Sequence, residues 1–230
     1  MITTTLNNIS FQFQTNPTLF SPTAVDAGTL AMLSTTTFHL NDKVLDLGCG
    51  YGVVGILAGK QIGGQNIVMC DISETAIEYA KINAVHNQVS NLTILQSDGF
   101  QNISANDFTL ILSNPPYHTD FSVAKHFIED SLKHLTIGGR LIMVTKRLDW
   151  YRNKMKTVFG GVIVHKINGY YVFIAEKKQQ PRKPKKQNQN TLSKKLKRKY
   201  QKKSSSNSAL QSINILHIFY SYIKIILELF

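Results

Sequence analysis

Along residues 43–176 the hydrophobic positions switch repeatedly between two spacings. Short apolar runs cover 43–47, 66–70, 92–95, 108–112 and 140–145. Runs of that length, bounded by turn residues, are the pattern of strands buried on both faces. Longer segments with one apolar helical face lie between them. The first, 53–62, is stopped by Gly63-Gly64. The second starts at the N-cap Ser73, carries Glu74 and Glu78 early, lines up Ile77, Ala80, Ala84 and Val85, and runs to about Asn87. The third, 122–135, turns Phe127, Leu132 and Leu135 inward and is expected to stop at Gly138-Gly139; the fourth is 149–159. Strands alternating with such helices predict a parallel sheet with helices on both faces. Two more β-rich segments, 162–165 and 170–175, flank the hairpin signal Asn168-Gly169 and add an antiparallel C-terminal strand. The expected fold is α/β, a mostly parallel seven-stranded sheet.

The flanks break this rhythm. Residues 1–19 are polar and Thr/Asn-rich, with Phe11 and Phe13 alternating as in a short strand, and read as a partly ordered lead-in. Phe20-Ser21-Pro22 opens a segment whose Val25, Leu30 and Leu33 form a helical stripe ending near Leu33. Asp26, Gly28 and Thr29 lie within it, and Gly28 leaves room for a ligand to approach. After Glu176 the composition changes abruptly. The expected organisation is a domain over 1–176, a basic disordered arm and linker over 177–208, and an apolar tail over 209–230. In the tail Asn214, His217, Ser221, Lys224 and Glu228 fall on one narrow helical stripe. That pattern suits a membrane interface, a partner surface or a non-native extension, but is too polar for a transmembrane span.

Charge sharpens this division. Residues 1–176 hold 12 Lys/Arg and 13 Asp/Glu, a net −1, whereas 177–203 hold 13 Lys/Arg and no acid; 204–230 are neutral. A near-neutral body with a basic arm implies a polyanionic partner, nucleic acid or an anionic surface, or else a solvated tail. Two cysteines, Cys49 and Cys70, do not make a disulfide scaffold, and no secretory signal precedes the domain. The expected setting is cytoplasmic with reduced thiols. No Cys/His cluster has ligand spacing, so no metal is expected.

The candidate chemistry collects at strand ends, where open α/β sheets bind ligands. The stretch 44–52 ends an apolar run in Asp46 and then places Gly48, Gly50 and Gly52 on alternate positions, with Cys49 between. Small residues there let the backbone approach a nucleoside, and the helix behind offers free N–H groups. Asp46 can accept from a cationic amino group or order the loop. Asp71, with Ile72 beside it, is placed for a ribose diol, since a carboxylate accepts from both hydroxyls. Asp98 falls near where an adenine amine would lie. Each aspartate alone could be a simple loop or cap residue, but three at successive strand ends favour a nucleoside. Ser113-Asn114-Pro115-Pro116-Tyr117-His118 follows the fourth strand. Lys146-Arg147 follow the fifth and could touch phosphates or be solvated, and Trp150 and Tyr151 read as core or rim aromatics.

Residues 44–55, Asp71 and Asn114-Pro115-Pro116-Tyr117 resemble the class I S-adenosylmethionine-dependent methyltransferases of N-P-P-[FY] type, whose fold is Rossmann-like. With Phe20-Ser21-Pro22, Asp26-x-Gly28-Thr29 and His118 added, residues 20–176 are similar to the small-domain ribosomal RNA guanine-N2 methyltransferases. The resemblance implies S-adenosyl-L-methionine as cofactor, held by Asp46, Gly48, Cys49, Gly50, Gly52, Asp71, Ile72, Asp98 and Asn114. It implies Asn114, Pro115 and Tyr117 as catalytic residues. The Asn114 oxygen and the Pro115 carbonyl would accept the N–H bonds of an exocyclic amine and aim its lone pair, and Tyr117 would stack on an everted base. His118 would orient the base or cap the loop. The implied substrate is a guanine N2 of 16S ribosomal RNA, with the small ribosomal subunit held through 177–203 by phosphate neutralisation. N-P-P-Tyr also occurs in N6-adenine methyltransferases and in enzymes that methylate a release-factor glutamine. A non-enzymatic RNA-binding protein retaining the fold is the remaining alternative.

Overall fold

A computed structural model of the chain describes residues 1–116 and 121–178. Tyr117 and His118, the basic arm beyond Lys178 and the apolar tail lie outside the described residues.

The chain opens with an antiparallel hairpin, β1 (Ile2–Leu6) and β2 (Ile9–Phe13). Its turn residues Asn7 and Asn8 both take positive φ, 49° and 62°. That is the mirror-image turn whose twist matches paired strands, and asparagine tolerates it better than most residues. Where the sequence suggested a partly ordered lead-in, an ordered element stands. Its apolar side is buried, with Phe13 reaching the Tyr51 ring at 5.8 Å. The short helix α1 (Ala27–Leu33) follows, capped by Asp26, whose carboxylate accepts from the Thr29 N–H.

The main sheet has seven strands. In chain order they are β3 (Val44–Leu47), β4 (Ile67–Asp71), β5 (Thr93–Gln96), β6 (Phe108–Ser113), β7 (Leu135–Thr145), β8 (Ile163–Ile167) and β9 (Tyr170–Glu176). In space they run β5-β4-β3-β6-β7-β9-β8. The first five are parallel, while β9 is antiparallel to both β7 and β8. Asn168 and Gly169, at φ 48° and 81°, make the β8–β9 turn as the sequence indicated. The helices α2 (Val53–Ile62), α3 (Glu74–His86), α4 (Ser122–His134) and α5 (Asp149–Phe159) complete the domain.

Alternation along the strands builds two cores. On β3, Val44 joins the core shared with the hairpin, α1, α2 and α3, while Leu45 and Leu47 join the one shared with α4 and α5. The chain runs outward from β3 through β4 to β5, then returns to place β6 on the other side of β3. The loops after β3 and β6 therefore diverge, and that switch point is where such sheets hold ligands.

One boundary differs from the sequence reading. Gly138-Gly139 does not stop α4, which ends at His134; β7 begins at the next residue and contains both glycines. The register of β7 against β6 shifts here, and Gly138, at φ 82°, donates to the Lys177 carbonyl while the Lys177 N–H donates to Gly139. The glycines thus form a bulge that keeps the ladder satisfied. Lys177, the first residue of the basic segment, is buried against this bulge and belongs to the folded body.

Candidate active site

The loops after β3, β4, β5 and β6 enclose a cavity of about 340 Å³. The floor is the glycine turn. Gly48, Gly50 and Gly52 take φ of 76°, 53° and 101°, so the alternate glycines of the sequence mark three left-handed positions in a row. The Gly48 and Cys49 N–H groups both donate to the Cys70 carbonyl on the neighbouring strand. Gly48, Cys49 and Gly50 line the cavity. Gly52 does not, contrary to the sequence reading. It caps α2, and a Cβ there would stand 2.9 Å from Ile56 and Met69. Its role is to let α2 pack against β4.

The three aspartates meet at the cavity in different ways. Asp46, 3% exposed, accepts the Gly55 N–H at 2.9 Å, so it orders the turn by binding the first turn of α2. Burial, opposed by that hydrogen bond and reinforced by the nearby Asp71 charge, pushes its carboxyl up to about 7. Asp71 accepts from Gly50 N–H through one oxygen and from Ser73 N–H through the other, both at 2.9 Å. Each oxygen keeps a second acceptor position. Asp98 is exposed on the rim, two residues beyond the end of β5. Ile72 also lines the cavity and is 63% exposed, an apolar side chain positioned to lie against a flat ligand face.

Asn114 and Pro115 stand opposite, at the end of β6. The Asn114 Nδ2 donates to Asp26 Oδ2 at 2.8 Å and to Thr29 Oγ1 at 3.1 Å. A carboxylate only accepts, so this contact fixes which end of the amide is which. The Asn114 Oδ1 is buried and has no hydrogen-bond partner among the described residues. A buried acceptor left open beside a cavity costs free energy until a donor arrives, about 1–3 kcal/mol for such a group. The strand end beneath it is rigid, since Ser113 donates to the Leu47 carbonyl at 2.7 Å and ties β6 to β3.

Several cavity residues escaped the sequence reading. Phe20, 51% exposed, and Val25 come from the segment before α1, and Val123 and Phe127 from α4. Phe127 was expected to face inward, but only the packing of α4 over the β3 and β5 loops brings it under Gly48 and Gly99. Both thiols are buried beside the cavity and protonated: burial raises Cys70 to about 12 and lifts Cys49 as well. They are not nucleophiles. Lys146 and Arg147 are exposed, the first over the Tyr170 ring at 5.0 Å and the second over Phe121 at 4.8 Å. Phe121 in turn stacks on Trp150 at 4.3 Å, while Tyr151 is core. Among the described residues no cluster could hold a metal, and no helix is long and apolar enough to cross a membrane.

The residues fit S-adenosyl-L-methionine. The cavity has a glycine floor open to backbone approach, carboxylates for a cationic amine and a diol, and an exposed isoleucine for a base. Comparison with known proteins agrees. Residues 10–174 match the family model of the methyltransferase small domain. The chain is 34% identical over 178 residues to the Bacillus subtilis protein YbxB, covering 75% of this chain and 89% of that one. It is 36% identical over 166 residues to ribosomal RNA small subunit methyltransferase C of Haemophilus ducreyi, covering 69% of this chain and 50% of that one. The chain thus spans about half the length of the ribosomal RNA methyltransferases it matches. Among solved structures, the Thermus thermophilus 16S rRNA N2-guanine methyltransferase RsmC, in complex with AdoMet and guanosine, superposes with a TM-score of 0.69 at 22% identity, covering 76% of this chain and 49% of that one. A Pyrococcus furiosus methyltransferase gives 0.61 at 20% identity, covering 73% and 89%. The chain belongs to the methyltransferase small-domain family and has the Rossmann-like fold of the methyltransferases it superposes on.

Proposed function

We propose that the protein methylates the exocyclic N2 of a guanine in 16S ribosomal RNA. The observation that carries this reading is the unpartnered Asn114 Oδ1, a buried acceptor pinned in direction on a residue that lines the cavity. An exocyclic amine supplies the missing donor. Such an amine is a poor nucleophile because its lone pair is delocalised into the ring. Accepting one N–H at Asn114 Oδ1 and the other at the Pro115 carbonyl draws the nitrogen towards a tetrahedral geometry and turns the lone pair inward. S-adenosyl-L-methionine, when bound, supplies the electrophilic methyl group. Asp46, Gly48, Cys49 and Gly50 would hold its amino-acid end, Asp71 its ribose, and Ile72 and Asp98 its base. The amine loses a proton once alkylated, and water suffices as acceptor because the alkylated nitrogen is strongly acidic. Tyr117, which lies outside the described residues, would stack on the everted base.

The assignment to the small ribosomal subunit rests on relatives named ribosomal RNA small subunit methyltransferase C and on the basic segment 177–203, and that to guanine on the solved RsmC structure with its bound guanosine. The cations of that segment beyond the buried Lys177 would hold RNA by phosphate neutralisation. A ribosomal substrate sets the enzyme in the cytoplasm. The test is nucleoside mass spectrometry of ribosomal RNA from cells with and without the gene. It is paired with transfer of labelled methyl by the purified chain to small subunits from the deletion strain. N2-methylguanosine that disappears on deletion and returns in vitro is the expected result. N6-methyladenosine, or label on release-factor glutamine, would overturn the substrate.

A further inference from the structure

We infer that Asp26 and Thr29 are positioning residues that lock and polarise the Asn114 amide, with Gly28 between them leaving the room they need. The inference rests on Asn114 as the acceptor of the target amine. An asparagine amide has two N–H donors, and both are spent on the start of α1: one on Asp26 Oδ2 at 2.8 Å, one on Thr29 Oγ1 at 3.1 Å. Turning the amide over would set its oxygen against a carboxylate. The orientation of the amide, and with it the place of the unpartnered oxygen, is therefore held by two contacts made 88 and 85 residues earlier in the chain.

Asp26 does two jobs with one oxygen. Its Oδ2 also accepts the Thr29 N–H at 2.8 Å, which caps α1 and fixes where the carboxylate stands. The negative charge on the donor side of the amide increases the electron density on its oxygen, as in other chains of charge-assisted hydrogen bonds. That gain is largest when the bound amine becomes positive, in the transition state. Gly28 makes the arrangement possible. A Cβ there would stand 2.8 Å from Asp26 Oδ2 and 2.8 Å from the Tyr170 ring, so any side chain would wedge the carboxylate away from Asn114. The Tyr170 ring, on β9, closes the other side of that position. The end of β6 and the start of α1 thus meet around a single amide.

Three substitutions in the full chain separate positioning from capping. Asp26→Ser keeps a good N-cap acceptor for Thr29 but removes the charge and the contact with Asn114. Thr29→Val removes only the hydroxyl, and Thr29→Ser restores it. We expect Asp26→Ser to lower kcat about 30- to 100-fold and Thr29→Val about 3- to 10-fold, the range for losing a preorganised contact, with KM for RNA and Kd for S-adenosyl-L-methionine within about twofold. Thr29→Ser should recover most of the rate. A kcat that stays within about twofold in Asp26→Ser, or that falls only in step with thermal stability and cofactor affinity, overturns the inference. A second readout needs no methyl transfer. The Asn114 side-chain amide protons, followed by NMR with Asn114→Ala as the assignment control, should exchange slowly in the wild type and fast in Asp26→Ser. Fast exchange in the wild type overturns the inference whatever the activity. Slow exchange in a wild type that methylates no RNA leaves the lock standing and sinks the proposed substrate instead.

Discussion

Replacing Asn83 by alanine tests how the N-terminal hairpin is joined to the glycine turn. Asn83 is fully buried on α3. Its Oδ1 accepts the Gln14 N–H at 2.7 Å, and its Nδ2 donates to the carbonyls of Gln14 and Tyr51, both at 2.9 Å. One side chain thus ties the strand leaving the hairpin to the turn that carries Gly50 and Gly52. Alanine loses all three bonds. The two Gln14 groups are only part-buried and recover water, costing about 1 kcal/mol each; the buried Tyr51 carbonyl has no substitute and costs about 2 kcal/mol. Alanine regains about 0.6 kcal/mol of helix propensity. The net loss is about 3 kcal/mol, which in a domain of this size lowers Tm by roughly 6–12 °C. Differential scanning calorimetry on Asn83→Ala measures it. Asn87, one turn on, is the control: it pairs with Gln12 N–H and C=O at 3.0 and 2.8 Å but makes no contact with the glycine turn. Asn87→Ala should leave Kd for S-adenosyl-L-methionine unchanged, whereas Asn83→Ala should raise it severalfold. A Tm loss below about 2 °C in Asn83→Ala would show that the hairpin is an appendage.

Three further outcomes follow from the site. Asn114→Ala should lower kcat by a factor of about 100 or more while leaving cofactor Kd near the wild-type value, measured by single-turnover methyl transfer and calorimetry; an equal loss in Kd would place Asn114 with the cofactor instead of the amine. Asp46 keeps its proton in the native state up to about pH 7 but releases it near 4 when unfolded. The native protein therefore binds the extra proton between those values, and this contribution to stability declines as pH rises, by at most about 1.4 kcal/mol per pH unit. Urea unfolding at pH 4.5 and 7 should show that slope in the wild type and lose it in Asp46→Asn; identical slopes would refute it. Gly55→Ala should destabilise by about 1–3 kcal/mol, read from the urea midpoint, because its Cβ would stand 2.4 Å from Met69 Cγ on β4.

How much of this could be read from the chain depends on how local each feature is. The strand–glycine–helix turn at 44–52, the Asn-Gly hairpin and the Asn-Pro-Pro turn are local, and residue types with restricted or permissive φ announced them. The N-terminal hairpin was equally local, with Ile2, Leu6, Phe11 and Phe13 buried around an Asn-Asn turn. Its Thr-rich strands read as polar lead-in because the α3 asparagines that hold it lie about 70 residues away. Gly138-Gly139 misled for a related reason. A glycine pair stops a helix when nothing else claims its backbone, but here Lys177 pairs with both from the far end of the domain. The Asp26–Asn114 contact spans 88 residues, so spacing could mark Asp26, Gly28 and Thr29 as unusual without saying what they touch.

The polar residues of the site share one construction. Asp46 commits an oxygen to Gly55, Asp71 commits both oxygens to Gly50 and Ser73 while keeping spare lone pairs, and Asn114 commits both its protons to Asp26 and Thr29. What remains on each is acceptor capacity, and the three residues line one cavity. A ligand with donors at those points meets groups already fixed by the scaffold, so little ordering cost is left for the binding step. This separates two kinds of damage. Removing a cavity-facing atom costs the contact it makes, in binding or in rate according to which ligand it meets. Removing the scaffold-facing partner leaves the cavity-facing atom present but unaimed, and the loss appears wherever geometry is most demanding. On the proposed function Asp71 would show it in cofactor affinity, since its carboxylate is tied to Gly50. On the same proposal Asn114 would show it in the methyl-transfer step, because an acceptor free to rotate still meets an amine but no longer holds its lone pair in line.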